Sequence, residues 1–470
     1  MVSNALNPKK YGKCRILPFL ITLATGLRII MFAFQYNPCG DDGARYFQET
    51  RNLVYHHVFS SLQDGAPTAH DLPLWPALMA VFLRISDSES CAILMAGLTN
   101  LLLFCGCIHL LMNILRDAPF YCDSNGVAYA LLIFMFMPGS FCYSLFIMPD
   151  QIAVFLLLLG LRFYYLGIFH TENRLYGTAA AWGAAILAKP ICLPLTCAFF
   201  IALLFVLKGS IFRRVATVLA VFAISAAILS PWIIRNKHVF GTAGLTTISG
   251  TNLYQCNWKW MLSSWSGSKK KTAEEADARF EAELKKNHPD PIAASRAYEK
   301  YARHQILSHL PDYCLYTLKA HPRLYCGSGI AAFLSYFTDI DYQKKHGFFS
   351  RKPGTGILRY GVIAALVVLS FLWLAACYAI ILLGTATAAK YIMAVRRKHP
   401  RYGKKMLTGY LSVLMSLALI ALVLGPVVTT RYRFIMIPFF AVLASYLGVR
   451  PRLRSRLGHT PPAPGDSNHL

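Results

Sequence analysis

Apolar runs long enough to cross a bilayer recur along most of the chain and are separated by polar connections. A helix of about 20 apolar residues crosses the hydrocarbon core, because all its backbone polar groups are paired within the segment. Ten runs are predicted to be such spans, at roughly residues 15–36, 91–115, 125–146, 150–169, 174–189, 190–208, 213–234, 357–385, 406–427 and 433–449. The pattern predicts an all-α polytopic membrane protein.

The composition agrees with this prediction. Of the 470 residues, 56% are hydrophobic and 15% are charged, a balance that no soluble domain of this length needs. The formal net charge of +25 would suit a nucleic-acid partner, but Lys and Arg lie mainly at the ends of apolar runs. We therefore expect no nucleic-acid partner, and expect these charges to orient the helices and to meet anionic membrane lipids.

The 13 cysteines show no Cys-x-x-Cys spacing, so neither a zinc ribbon nor a disulfide scaffold is indicated. Most lie inside apolar runs, where cysteine is a small hydrophobe. Four could pair if their segments are extracytoplasmic: Cys39, Cys256, Cys314 and Cys326. The first apolar run has no small-residue cleavage site before Gly40, so we expect it to be retained as a helix.

The short basic connections predict the orientation. Because they all fall on one face of a ten-span arrangement, that face is predicted to be cytoplasmic. The opposite face receives a first external loop, 37–90, and a long external segment, 235–353. We predict one transmembrane domain, 1–449, followed by a basic, Pro-rich cytoplasmic tail, 450–470. The predicted location is the plasma (inner) membrane, with the functional face toward the periplasm or exterior.

Two external stretches are predicted to be helices that do not span. Residues Leu72 to Ile85 are apolar over only about 14 positions, which is too short to cross, so we predict an interfacial or re-entrant helix. Residues Ala273 to His309 are rich in Ala, Glu, Lys and Arg with apolar residues at helical spacing. They predict one or two amphipathic helices over the membrane face.

An acidic pair, Asp41 and Asp42, stands just after the first span in the stretch G-D-D-G-A-R-Y-F-Q-E-T-R-N-L. In isolation, a purely structural explanation, as a solvated loop residue or a helix N-cap, is as good as a functional one. The residues that follow predict an amphipathic helix with Tyr46 and Thr50 on one stripe, entered by an acidic loop. Asp42 is therefore expected at the helix entrance, near the membrane surface.

Five further motifs follow the acidic loop in order. They are D-L-P-L-W-P-A-L-M-A-V-F from Asp71, M-P-D-Q-I-A-V-F from Met148, A-I-L-A-K-P ending at Pro190, S-P-W-I-I-R-N-K-H-V-F-G from Ser230, and R-Y-R-F-I-M-I-P-F from Arg431. With the first loop, this series resembles the glycosyltransferase family 39-like (type C) membrane enzymes, which include protein O-mannosyltransferases and the lipid A aminoarabinose transferase. The resemblance extends from Leu27 to Gly448.

The resemblance implies an integral-membrane glycosyltransferase that takes a sugar from a polyprenyl or dolichyl phosphate and transfers it with inversion. The catalytic carboxylate of the family corresponds to Asp42, with Asp41 as the adjacent alternative. A base at the membrane surface suits a donor whose sugar projects just above the headgroups. The family counterpart of Asp150 lies by the donor site and orients the acceptor or helps to hold a divalent ion; as an alternative, Asp150 is only an N-cap.

A lipid phosphate leaving group needs cations to stabilise it. Lys189 and Arg235 are candidates for this role. The alternative for Lys189 is a lysine that extends to the membrane interface, and the alternative for Arg235 is an anchor to lipid headgroups. Arg431 and Arg433 precede a span on the external face, where no charge is needed for orientation, and a guanidinium suits phosphate. The predicted donor phosphate- and sugar-binding residues are Lys189, Arg235, Arg431, Tyr432, Arg433, Arg45 and Tyr46.

The first loop also contains four residues with metal-ligating side chains: His56, His57, His70 and Asp71. Adjacent histidines on a helical stretch point in different directions, so a zinc site is not favoured. We therefore assign no metal ligands among the site residues. No cofactor is assigned, and a divalent cation is the one candidate.

Two features bear on the acceptor. The acidic pair is D-D where protein O-mannosyltransferases typically have D-E, and no large external domain is inserted. Both argue for a bacterial enzyme that modifies a glycan or a lipid, with the sugar and the acceptor left open. A multi-pass transporter or lipid flippase, with Asp150 and Lys189 as coupling residues, is the alternative function. It is disfavoured because these charges lie at predicted helix ends rather than helix centres.

Overall fold

The computed structural model describes residues 16–34, 40–63, 65–117, 120, 122–287, 290–330, 333 and 357–448. Regular structure in these residues is entirely helical, as predicted, and no strand occurs among them. The predicted tail 450–470 and most of the stretch between 330 and 357 lie outside the described residues.

The α-helices are numbered in chain order. The first ten are α1 Ile16–Ala33, α2 Gly40–Tyr55, α3 Leu74–Ser86, α4 Glu89–Arg116, α5 Ser124–Phe136, α6 Ser140–Tyr143, α7 Asp150–Phe169, α8 Arg174–Ala188, α9 Cys192–Val206 and α10 Ile211–Phe240. The next are α11 Ile248–Asn252, a π-helical turn Leu253–Trp258, α12 Lys259–Ser263, α13 Gly267–Lys286, α14 Pro291–Ser308, α15 Leu310–Ala320 and α16 Pro322–Cys326. The last are α17 Ile357–Lys398, α18 Pro400–Leu424, α19 Thr430–Ser445 and a 3₁₀ turn Tyr446–Gly448.

Within the described residues, six helices are long and apolar enough to cross a membrane, which makes the chain a multi-pass membrane protein. Each coincides with a predicted span: α1, α4, α7, α10, α17 and α18. The four other predicted spans contain α5, α8, α9 and α19, which have only 13 to 16 residues each. Their existence as helices is confirmed, whereas a count of ten spans is not.

Helix α19 forms part of the core. All its residues from Arg433 to Ser445 are buried, and it packs against α5 and α17. The contact with α17 is close because Gly384 has no side chain: a Cβ there would lie 2.4 Å from the carbonyl oxygen of Leu443. A helix that is buried on all sides can be apolar on all sides, as α19 is from Phe434 to Ala444.

The two stretches that were predicted to form non-spanning helices are helical. Helix α3 has 13 residues and covers 74–86, in agreement with a non-spanning helix at 72–85. The stretch 273–309 forms two helices, α13 and α14. They pack on the π-helical turn around a separate apolar cluster, in which Trp258 donates to Asp277 at 2.8 Å. This cluster supports one wall of the site described next.

The cysteines that could have paired are free where the structure describes them. Cys256, Cys314 and Cys326 are all free thiols. The fourth, Cys39, lies outside the described residues.

Candidate active site

Asp150 is the first residue of α7 and is fully buried. Pro149 precedes it, and a proline at a helix start has the fixed backbone angle that the helix needs. The carboxylate therefore lies at the positive end of the helix dipole. A buried carboxylate still requires cationic partners, and Asp150 has two.

The first partner is Lys189, which binds Asp150 through its Nζ. Helix α8 ends at Ala188, and Lys189 is extended, with φ −152° and ψ 123°. Pro190 explains this conformation, because a proline disfavours helical geometry in the residue before it. The Nζ atom also lies 5.4 Å from the centre of the Tyr432 ring.

The second partner is Arg431, on the first turn of α19. Its Nε donates to both oxygens of Asp150, at 3.2 and 3.0 Å, and its Nη2 donates to Oδ2 at 2.7 Å. Its Nη1 donates to Oδ2 of Asp42. One guanidinium thus joins the two acids that the sequence singled out, over 281 and 389 positions of chain.

Asp42 lies in the first turn of α2, because that helix begins at Gly40. The acids therefore belong to the helix, not to the loop before it that the sequence predicted. Arg45, one turn on, donates to Asp42 Oδ1 at 3.0 Å and to Asp71 at 2.5 and 3.2 Å. His70 contacts Asp71 at 3.2 Å through Nδ1.

These contacts make one chain of alternating charges, in the order Lys189, Asp150, Arg431, Asp42, Arg45 and Asp71. Three cations balance three carboxylates. Burial alone would raise the pKa of the Asp42 carboxyl, but Arg431 and Arg45 lower it below the ordinary value of 3.8. Asp42 is therefore an ionised carboxylate, and its side chain remains 40% exposed.

Glu49 is a further acid of α2 that the sequence analysis missed. It is fully buried, and its carboxyl group is hydrogen-bonded to that of Asp71, a bond between two carboxyl groups that needs a proton on one of them. Burial and the negative charge of Asp71 raise the pKa of Glu49 well above its ordinary value. Glu49 is consequently a neutral acid one turn beyond Arg45.

Two cavities meet at Asp42. The first has a volume of about 400 Å³ and the second about 660 Å³. Both are lined by Asp42, Arg45, His70, Ile248, Asn252, Val427, Arg431 and Tyr432. The first alone extends between the ends of α8, α9 and α18, where its wall consists of Ala188, Lys189, Pro190, Ile191, Leu193, Pro194, Val423 and Leu424. The second alone is lined by Tyr143, Cys256, Arg323, Val428, Thr429 and Thr430.

The structure brings most of the predicted site residues to these cavities. Lys189 and Tyr46 line the first, and Asp42, Arg45, Arg431 and Tyr432 line both. Asp150 lines neither and lies behind Arg431 and Lys189. The backbone of Asp41 is in α2, but its side chain lies outside the described part of the structure.

Arg235 and Arg433 line neither cavity. Arg235 donates to the carbonyl oxygens of Thr68 at 2.9 Å and Phe59 at 3.1 Å, and so holds the loop between α2 and α3. Arg433 is fully buried and donates to three backbone carbonyls, those of Leu324, Tyr325 and Pro138, at 2.8 to 3.3 Å.

The donor set does not fit a divalent cation. Both Asp150 oxygens are bound by Arg431 and Lys189, and Asp42 is bound by two arginines. Among the described residues, no group of three or more His, Cys, Asp or Glu side chains could hold a metal. The histidines considered as zinc ligands do not converge either, since His56 and His57 are exposed, while His70 contacts Asp71.

A solved structure shares this architecture. The apo oligosaccharyltransferase of Archaeoglobus fulgidus superposes with a TM-score of 0.50 at 15% sequence identity, over 93% of this chain and 50% of its own. The chain has the type C membrane glycosyltransferase fold. ArnT from Cupriavidus metallidurans bound to undecaprenyl phosphate gives a TM-score of 0.40 at 14% identity, over 88% of this chain and 78% of that one.

The type C resemblance noted in the sequence is thereby confirmed for the fold. This chain spans about half the length of the archaeal oligosaccharyltransferase, so that protein's activity does not transfer with the fold. No family model matches the chain, and no curated protein matches its sequence.

Proposed function

We propose that the protein is a glycosyltransferase that moves a sugar from a polyprenyl-phosphate donor to an acceptor hydroxyl or amine on the extracytoplasmic face. The observation that carries this proposal is the position of Asp42: an ionised, half-buried carboxylate at the junction of two cavities. A two-substrate transfer needs a base placed between a donor site and an acceptor site, and Asp42 is the one carboxylate among the described residues that lines both cavities.

The first cavity suits the donor. Its apolar wall at the ends of α9 and α18 would accommodate a polyprenyl chain, and its inner end carries Lys189 and Arg431. Both cations are fixed by Asp150, so they are oriented before the substrate arrives. In this proposal Asp150 is a positioning residue and does not touch the substrates.

The reaction follows from this placement. The acceptor O–H or N–H loses its proton to Asp42 while the acceptor atom bonds to the anomeric carbon from the side opposite the phosphate. The bond from that carbon to the phosphate oxygen breaks, its electron pair leaves on the lipid phosphate, and the configuration inverts. Each Asp42 oxygen accepts one arginine bond and keeps a second lone-pair direction for the proton.

Protonation of Asp42 would also assist the leaving group. Arg431 is shared between Asp42 and Asp150. When Asp42 becomes neutral, Arg431 loses one of its two anionic partners just as the departing phosphate gains charge. The positive charge at the donor site therefore rises during the step that needs it.

The alternative of a transporter or flippase has less support. Its coupling residues would have to be charges near helix centres. Asp150 is the first residue of α7, Lys189 follows the last residue of α8, and Arg431 is the second residue of α19.

The test is transfer by the purified protein, with membrane extract from a host that makes polyprenyl-phosphate sugars, followed as loss of donor. Asp42→Asn keeps the side-chain shape and loses the proton acceptor, so it should abolish transfer while donor binding and expression persist. Asp117→Asn is the matched control, because Asp117 pairs with Arg162 at 2.7 Å and lines neither cavity.

Asp41→Asn should lose less activity than Asp42→Asn, since consecutive side chains on a helix point in different directions. Full activity in Asp42→Asn with loss in Asp41→Asn would move the role by one residue. Full activity in both would refute a catalytic role for this helix.

A further inference from the structure

Arg323 stands at the boundary between the second cavity and a third one. The third cavity has a volume of about 310 Å³, and its lining comes from the residues just after α12, from α15 and from α16. It is lined by Ser264, Trp265, Asp312, Leu315, Tyr316, Lys319, Ala320 and Arg323. Arg323 lines both cavities, and the two together are called the groove; Asp42 lines its second-cavity end.

The charges along this groove do not cancel. The one acid that lines the third cavity, Asp312, is bound by Lys269 at 2.5 Å. Lys269 itself packs on the Trp265 ring, 4.1 Å from its centre. At the inner end, Asp42 is bound by two arginines. Within the described residues, Lys319 and Arg323 have no carboxylate partner, and both are exposed.

We propose that Arg323 and Lys319 bind an anionic group carried by the acceptor, such as a phosphate or a carboxylate. Lys319 and Arg323 lie four residues apart, and the one acid in their cavity, Asp312, is already paired with Lys269. Two such cations raise the concentration of anions in a groove and reject cations. The guanidinium of Arg323 suits a planar or tetrahedral anion because it donates in a fork. The assignment of this ligand to the acceptor rests on the proposed function, whereas the charge selectivity of the groove does not.

Cys256 offers a direct probe of that selectivity. It lines the second cavity together with Arg323 and is a half-buried free thiol. Two thiosulfonate reagents of similar size, the anionic sulfonatoethyl and the cationic trimethylammonium-ethyl compounds, would be applied to the full-length protein in phosphatidylcholine nanodiscs. Mass spectrometry of the peptide that contains Cys256 gives the two rates, and a Cys326→Ser background removes the exposed thiol on α16.

The ratio of the anionic to the cationic rate is the measured quantity. Burial raises the pKa of the Cys256 thiol, which slows both reagents equally and cancels in the ratio. We expect Arg323→Gln to lower the ratio by about fivefold, as loss of one nearby unit charge in a partly solvated groove would do. Arg303→Gln is the matched control, because Arg303 is exposed, pairs with Glu299 and lines none of the three cavities.

Two outcomes would overturn the proposal. One is an unchanged ratio in Arg323→Gln, or an equal change in Arg303→Gln. The other concerns lipid headgroups as the source of the anion: if phosphatidylglycerol in the nanodisc abolishes the difference in ratio between the unaltered protein and Arg323→Gln, the groove binds membrane lipid and not an acceptor group. Persistence of the selectivity in phosphatidylglycerol supports the acceptor.

Measurements of turnover test separately whether the bound anionic group belongs to the acceptor. Arg323→Gln should raise the acceptor KM several-fold and leave kcat and the donor KM unchanged, with partial rescue by Arg323→Lys. A rise in the donor KM instead would refute the acceptor assignment. Absence of transfer by the unaltered protein would refute the proposed function and leave the labelling result standing.

Discussion

Arg431 and Arg433 stand two residues apart on α19 and bind opposite kinds of partner. Arg431 donates to the carboxylates of Asp150 and Asp42, whereas Arg433 donates to three backbone carbonyls. Positions i and i+2 of a helix face different sides, so only one of the two arginines reaches the cavities. The sequence favoured both as phosphate ligands, and their different surroundings predict different defects.

Arg433→Gln should lower stability and spare the chemistry. The substitution leaves buried carbonyls of Leu324, Tyr325 and Pro138 without their donor, which costs about 1 to 3 kcal/mol for each unsatisfied group. We expect a lower thermal midpoint in detergent and a near-normal kcat for the folded fraction. A normal midpoint with a large loss of kcat would instead place Arg433 among the phosphate ligands.

Arg431→Lys and Lys189→Gln should lower kcat. The lysine keeps the charge but cannot bind both Asp150 and Asp42, and Lys189→Gln removes a charge from the donor cavity. A preorganised contact to a developing oxyanion contributes about 2 to 4 kcal/mol of barrier, so we expect losses of about 30- to 1000-fold. Rates near those of the unaltered protein in both variants would mark these residues as structural.

The Lys189 region shows what could be predicted from local sequence. The Lys-Pro pair predicts a helix end and an extended lysine, because the proline constrains the residue before it, and the structure has both. The long apolar runs likewise predicted the six spanning helices, because length and hydropathy alone decide whether a helix suits a bilayer.

The pairing of charges could not be predicted in the same way. Asp150 meets Lys189 and Arg431 across 39 and 281 positions, and such contacts depend on how the helices pack. Asp71 was considered only as a metal ligand, although it binds Arg45. Nothing in the local sequence around Arg323 indicates that two cavities lie beside it, since α15 packs on the apolar cluster around Trp258 and α16 packs on the main core through Leu324.

Glu49 predicts a pH dependence of stability. Because its pKa is raised in the folded protein, the native state keeps a proton that the unfolded chain releases above about 4.5. The contribution of Glu49 to the free energy of unfolding is therefore complete at low pH. It is lost as the pH rises from 4.5 toward the pKa of Glu49 in the folded protein, by at most about 1.4 kcal/mol for each pH unit.

We expect the thermal midpoint of the unaltered protein to fall between pH 5 and pH 8, and that of Glu49→Gln to fall less. Glu89→Gln is the matched control, because Glu89 is a partly exposed partner of Arg51. Parallel midpoint curves for Glu49→Gln and the unaltered protein would show that Glu49 is ionised in the native state.

The orientation of the chain can be measured independently of activity. The proposed active site requires α13 to face the exterior, and the basic connection at the end of α17 to face the cytoplasm. Reporter fusions or cysteine labelling at Lys270 should therefore give the extracytoplasmic signal, and fusions at Lys398 the cytoplasmic one. A cytoplasmic signal at Lys270 would place the cavities on the wrong side for the proposed donor.

The last prediction concerns the acid limb of the pH profile for kcat/KM, which reports the ionisation of the catalytic base in the free enzyme. Arg431 and Arg45 hold the pKa of Asp42 below 3.8, so the unaltered protein should show a flat profile from pH 7 down to pH 5. Arg45→Gln removes one of the two cations, which raises that pKa and moves the limb to higher pH.

The direction in which the acid limb moves follows from the positive charge that Arg45→Gln removes. Loss of a cation favours the protonated carboxyl, so the base is disabled at a pH where it was active before. Arg51→Gln is the matched control. Arg51 lies on the same helix, pairs with Glu89 at 2.5 Å and lines neither cavity, so its substitution should leave the acid limb in place. If Arg45→Gln lowered kcat/KM equally at every pH without moving the limb, a group other than Asp42 would have to be the base.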